Sequence, residues 1–271
     1  MYKRQGEGGA LLGGIYLDLF PREGKFTHNA AFGVRAGSVL TGQRPIKALI
    51  CNLDRRGLNH QELQSLLHEF GHVLHGVLSR ARYADQSGTA VRRDFVEAPS
   101  QMFEEWARRE QSLRVFAEVC PECPALSGPQ LEQLAAARRY GRGMFYARQW
   151  LLASFDLALH TGSPKSSLDI WQQMEGATRL GYVAGTLLPA SFGHLLGGYE
   201  SGYYGYMWSQ VLALDMLSGF HDNLLDPAAG RRFRQIILEP GGSRSPQEMV
   251  EEFLGRKSNP TAFYAEITGT R

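Results

Sequence analysis

The chain has 271 residues, 43% of them hydrophobic and 21% charged, the balance of an ordinary globular protein with apolar mass for a sizeable core. Its 29 basic and 27 acidic side chains leave a formal net charge of +2, which argues against a nucleic-acid or anionic-membrane partner. No stretch approaches the roughly 20 apolar residues a membrane span needs, and the run from Gly8 to Tyr16 is too broken by glycine for the apolar region of a secretory signal.

Residues 1–58 read as a small sheet. Gly14 to Phe20 alternates in polarity and stops at Pro21; Ala31 to Val34 and Ala48 to Leu53 are two further strand candidates. The segments Arg22-Glu23-Gly24-Lys25 and Thr41 to Pro45 between them carry turn chemistry. From Asn59 the pattern becomes helical. Asn59 with Glu62 three residues on forms a capping-box signature, and Leu63, Leu66, Leu67, Phe70, Leu74, Val77 and Leu78 then recur at helical spacing. A second helix is predicted over 94–119, with Pro99 tolerated near its start, and a third over 128–160. Shorter helices are expected over 167–180, 206–220, 226–238 and 245–254, with a glycine- and tyrosine-rich stretch at 193–206. The fold class is therefore mainly α (α+β). One domain is expected over 1–271, a sheet region at 1–58 leading into a helical region at 59–271.

Cys51, Cys120 and Cys123 are too few for a disulfide framework at this length, so a reducing, cytoplasmic setting is expected. The single CxxC at Cys120 and Cys123 lacks two further ligands nearby and follows a charged helix rather than a strand, so it reads as a loop feature.

The chemistry is concentrated in His68-Glu69-Phe70-Gly71-His72, an HExxH motif on the best-marked helix. Residues four apart lie one turn apart on one helix face, so two imidazoles can converge on one ion. Glu69 is rotated off that line and can reach a water at the metal rather than the metal itself. A tetrahedral catalytic zinc takes three protein ligands. Glu97, near the start of the second predicted helix, is the candidate third, although spacing alone does not prefer it over Asp94 or Glu104. His75 lies seven residues beyond His68, about 10.5 Å along the axis, too far to share one ion, and reads as a residue that supports the ligands or as packing. Glu104, seven residues after Glu97, could hydrogen-bond a metal-binding imidazole and fix its tautomer, or be a solvated charge beside Glu105.

With these residues in hand, the chain resembles the thimet oligopeptidase family of zinc peptidases (peptidase family M3). The resemblance runs from Gly14 to Glu23 (GIYLDLFPRE) through His68 to His75 (HEFGHVLH), Ser87-Gly88-Thr89 and Asp94 to Met102 (DFVEAPSQM). It continues in Phe192 to Tyr206 (FGHLLGGYESGYYGY), Ile237 to Ser243 (ILEPGGS) and Phe253 to Arg256. It implies a zincin-like helical catalytic domain with one zinc ion per chain, bound by His68, His72 and Glu97, and Glu69 as general base. It also implies that Tyr206 steadies the oxyanion, that His194 acts at the reacting centre in contact with substrate, and that Tyr199, Tyr203 and Gly198 bind substrate. Short peptides are the implied substrates.

The residue types fit that chemistry on their own. Zinc polarises a peptide carbonyl and lowers the pKa of water toward about 7, Glu69 can take and return a proton, and a tyrosine hydroxyl can donate to a developing oxyanion. Glycines at 193, 197, 198, 202 and 205 would let the tyrosine loop close over a substrate. Cleavage of internal bonds is the preferred reading. Removal of C-terminal dipeptides is its sibling, and a zinc-bound but idle peptide-binding chain is the alternative from another class. Members of the family are longer and carry a helical half that walls a deep channel, so an exposed apolar face open to self-association or a partner is expected here.

Overall fold

The computed structural model of the protein describes residues 2–5, 9–120, 122, 126–162 and 166–270, with 2–5 and 117 described by backbone alone. Four strands, β1 (Tyr2–Gln5), β2 (Leu11–Asp18), β3 (Ala30–Arg35) and β4 (Ile46–Ile50), form one sheet in the order β1-β2-β4-β3. β2 and β4 run parallel, with Leu17 opposite Leu49, and the other pairs are antiparallel. All three predicted strands are present. β1 was not foreseen, because Tyr-Lys-Arg-Gln carries no apolar alternation; its backbone pairs with β2. Among the described residues β3 ends the sheet, with no strand beside one of its edges.

Helix α1 (His60–Val77) begins at the expected capping box. Glu62 N–H donates to Asn59 Oδ1 and Asn59 N–H to Glu62 Oε2, both at 2.9 Å. One face of α1 lies on the sheet, where Val73 and Val77 are buried among Ile15, Leu49, Cys51 and Leu53. Its other side meets α2 (Arg93–Glu104) at Gly71, where an added Cβ would stand 2.7 Å from the Ser100 Cα. Only glycine allows so close an approach, and it sets the histidines of α1 against α2. α2 in turn packs on α8 (Gly205–Met216) through a core that includes Phe95, Ala98, Met102, Ala213 and Leu214.

Two predicted helices are shorter than expected. The helix foreseen over 94–119 is divided: α2 passes into a 3-10 turn at Glu105–Arg108, Arg109 is extended, and α3 covers Glu110–Val119. Local propensity cannot register this break. Glu105 is 1% exposed there, and Arg108 and Arg138 pair with it at 2.6 and 2.9 Å. The helix foreseen over 128–160 is divided into α4 (Gly128–Arg139) and α5 (Arg142–His160) at Gly141, whose φ of 71° lies in the left-handed region. α6 (Ser167–Gly176), a short α7 (Leu188–Ser191), α9 (Pro227–Phe233) continuing as a π turn at Arg234–Leu238, and α10 (Pro246–Leu254) follow. A further α11 (Thr261–Thr268) had no sequence signal strong enough to be read. Among the described residues, no helix is long and apolar enough to cross a membrane. Cys120 follows the end of α3, and Cys51 is free and buried; Cys123 lies outside the described residues.

The turn at Gly241–Ser243 braces the loop that joins α1 to α2. A Cβ on Gly242 would collide with the Ala90 carbonyl oxygen, and Gly241, at φ 55°, sits against Gln86 and Gly88. Both obstacles are backbone, which cannot swing aside. Gly242→Ala is therefore expected to destabilise the fold by about 1–3 kcal/mol, seen as a lower denaturant midpoint at unchanged slope.

Candidate metal centre and its surroundings

The one-turn spacing of His68 and His72 brings their rings edge to face, with centroids 5.0 Å apart. Opposite them, Glu97 of α2 is buried, and its Oε2 lies 3.2 Å from His68 Nε2 and 3.1 Å from His72 Nε2. The three donor atoms all fall within 4.8 Å of one another, so His68, His72 and Glu97 could hold one metal ion. Donors about 2.0–2.1 Å from an ion at tetrahedral angles would stand about 3.3 Å apart, close to both separations. Two imidazole nitrogens and one carboxylate also form a donor set suited to zinc. Burial works to raise the Glu97 pKa, but hydrogen bonds from His68 and His72 and their charges hold it well below the carboxylate range. Glu97 is therefore ionised at neutral pH, as a metal ligand must be.

Glu104 lies against His68. His68 Nδ1 lies 2.8 Å from Glu104 Oε1, and Gln64 Nε2 donates to Glu104 Oε2 at 2.6 Å. With the Nδ1 proton directed at Glu104, a metal that took the place of the Nε2 proton would meet the lone pair of His68 on Nε2, beside Glu97. Burial disfavours a charge on His68, but Glu104 and Glu97 outweigh it and lift the imidazole to about 10. Glu104→Ala is expected to weaken metal affinity by about 10–100-fold, measured by competition with a chelator of known affinity.

Asp94, the other candidate for third ligand, instead accepts a hydrogen bond from the Tyr204 hydroxyl at 3.3 Å. His75 is fully buried, and desolvation, helped by the charges of His72 and Lys47, lowers it to about 3. It is thus a neutral, buried residue. Glu69 points to the sheet side of α1. Burial raises its pKa, while the charges of His68 and His72 and the nearby backbone of Ala31 on β3 lower it.

The tyrosine loop closes the other side. The Tyr199 hydroxyl donates to Glu97 Oε1 at 2.7 Å, and its ring stacks on Tyr206, 5.5 Å between centroids and 7° between planes. Tyr206 OH lies 3.4 Å from His194 Nε2, and the His194 ring meets Tyr203 edge to face. Burial and the nearby Glu97 charge raise Tyr199 to about 12 and push Tyr206 higher still, so both hydroxyls remain protonated donors. Burial lowers the pKa of His194, which favours the neutral ring. Gly198 adopts φ 87° and makes the turn that carries Tyr199. Sequence reasoning passed over Ser100, whose hydroxyl donates to the Glu97 carbonyl at 2.9 Å, and Arg93, whose guanidinium lies 4.5 Å from the Tyr199 ring centroid. The phase of both on α2 relative to Glu97 was the available signal.

A family model described as peptidase family M3 matches residues 3–269. The thimet-like oligopeptidase of Dictyostelium discoideum is 36% identical over 273 residues, covering 95% of this chain and 41% of that protein. Oligopeptidase A of Escherichia coli (strain K12) is 33% identical over 271 residues, covering 93% of this chain and 39% of that protein. The chain thus spans about two fifths of the length of these curated relatives. Among solved structures, Trypanosoma cruzi metallocarboxypeptidase 1 matches with a TM-score of 0.63 at 14% identity, over 95% of this chain and 56% of that one. PZ peptidase A with inhibitor 2 matches with a TM-score of 0.60 at 15% identity, over 93% of this chain and 42% of that one. At such identities these structures share the fold.

Proposed function

The chain belongs to peptidase family M3, and from that premise we propose that it is a zinc-dependent peptidase cleaving internal bonds of short peptides. The observation that carries this reading is the convergence of His68 Nε2, His72 Nε2 and Glu97 Oε2 within 4.8 Å of one another, beside a glutamate on the next helical position. When bound, the ion supplies Lewis-acid chemistry, polarising the carbonyl and easing deprotonation of water.

The remaining work falls to the chain's own groups. Glu69 takes a proton from the attacking water on its carboxylate and returns it to the departing amine. The buried setting that raises its pKa makes it a better proton acceptor than an exposed glutamate. Tyr206 directs its hydroxyl proton at the oxygen that becomes negative in the transition state. His194, close to that hydroxyl, orients it and contacts the substrate. Tyr199, Tyr203 and Gly198 line the path of the substrate. The edge of β3, which has no further strand beside it among the described residues, offers backbone donors and acceptors to an extended peptide. Such a main-chain anchor ignores side-chain identity, which suits an oligopeptidase acting on many sequences.

Mass spectrometry of the products from a peptide of about ten residues, blocked at its C-terminus, tests the internal-bond reading. Cleavage of the blocked peptide is the expected result. Cleavage confined to the unblocked peptide, releasing C-terminal dipeptides, would replace the reading with that of a dipeptidyl carboxypeptidase.

A further inference from the structure

Asp156 lies on α5, an element that supplies none of the three converging donor atoms, yet it is a carboxylate only 1% exposed. Both of its oxygens are taken by the backbone of the tyrosine loop. Ser201 N–H donates to Oδ1 at 3.1 Å and Tyr203 N–H to Oδ2 at 3.0 Å. His160, one turn further along α5, places Nδ1 3.0 Å from Oδ1. Ser201 has a φ of 58°, a left-handed conformation that serine seldom adopts. A left-handed residue turns neighbouring N–H groups to one side and creates a concavity that binds an anion. The two unusual features explain one another. The carboxylate would be costly to bury without those donors, and the strained backbone would relax without the carboxylate.

The grip sits at the centre of the segment that faces the metal centre. Tyr199, which donates to Glu97, lies two residues before Ser201, and Tyr206, stacked on Tyr199, lies three residues after Tyr203. α5 holds the loop at a second point on the same helical face, where the Tyr203 hydroxyl donates to Gln149 Oε1 at 3.0 Å. Gln149 and Asp156 are seven residues apart, two turns along one stripe.

We infer that Asp156 is a positioning residue for the catalytic loop: by binding the N–H groups of Ser201 and Tyr203 it fixes the backbone from which Tyr199 and Tyr206 present their hydroxyls beside Glu97. It touches neither metal nor substrate and acts through those tyrosines. Its consequence for turnover rests on the peptidase reading; its consequence for the loop does not.

The test uses the full chain loaded with zinc and two substitutions, Asp156→Asn and Asp156→Glu. Asn keeps the shape but sets an NH2 group against one of the two N–H donors. Amide exchange over residues 198–206 is expected to quicken at least about tenfold in D156N, with metal content unchanged. kcat is expected to fall at least about tenfold with KM within about threefold of wild type. D156E, which keeps the acceptor pair on a longer arm, should recover part of both effects, and it decides the matter if D156N does not fold. Unchanged exchange over 198–206 would overturn the inference, and so would faster exchange with kcat intact. If the wild type hydrolyses no peptide, the peptidase reading fails, and the exchange comparison still decides whether Asp156 holds the loop.

Discussion

Glu69→Gln is expected to lower peptide hydrolysis by about 10²–10⁴-fold, the usual contribution of a positioned general base, while the metal content of the purified protein stays at the wild-type level. The substitution preserves volume and hydrogen-bonding reach but removes the ability to accept a proton. His68, His72 and Glu97 are untouched, and the Glu69 side chain is not among the converging donors. The loss should appear in kcat and kcat/KM alike, because proton transfer is made only in the transition state. Retention of activity near the wild-type level would remove Glu69 from the mechanism. Loss of metal together with activity would show instead that Glu69 holds the site together.

Glu97→Ala is expected to act in the opposite order, removing the metal first and activity as a consequence. The loss of affinity should exceed the ten- to hundredfold typical of residues that only support a ligand. Glu97 does more at the site than offer one oxygen to the converging donors. It accepts from Tyr199 and from Ser100, and it faces both histidines. Without it the two imidazoles remain as a pair on α1, too few to retain zinc through purification. The check is metal quantification of the variant beside wild type, with circular dichroism to confirm the fold. An E97A protein that keeps stoichiometric zinc would return the third-ligand position to another residue.

The helix that carries the histidines was legible because three independent local signals agree there: the capping box, the apolar repeat and the four-residue spacing of His68 and His72. The candidate third ligand was not legible from spacing, and the reason is geometric. Asp94, Glu97 and Glu104 are three and seven residues apart, so all lie on about one stripe of α2. Which of them meets the histidines depends on where α1 and α2 cross, and that is set by Gly71 against Ser100. A contact between residues so far apart in the chain leaves no periodic trace. The same holds for the division between α2 and α3, where the buried Glu105 and its arginines interrupt a run of good helix formers. By contrast, Gly141 was a visible break between α4 and α5 that the surrounding helical pattern outweighed. The tyrosine loop was recognisable by composition and by family resemblance, but its anchor on Asp156 lies far away in sequence, inside a helix that otherwise reads as packing.

The central claim is a metal site that works on peptides, and one experiment meets it directly. Zinc is quantified on the purified chain, and the same sample is assayed with a quenched fluorescent peptide of about ten residues, with and without phenanthroline and after zinc is restored. The account predicts zinc near one ion per chain, cleavage that stops with the chelator, and recovery when zinc returns. A chain that binds no zinc, or cleavage that continues undiminished in excess chelator, would contradict it.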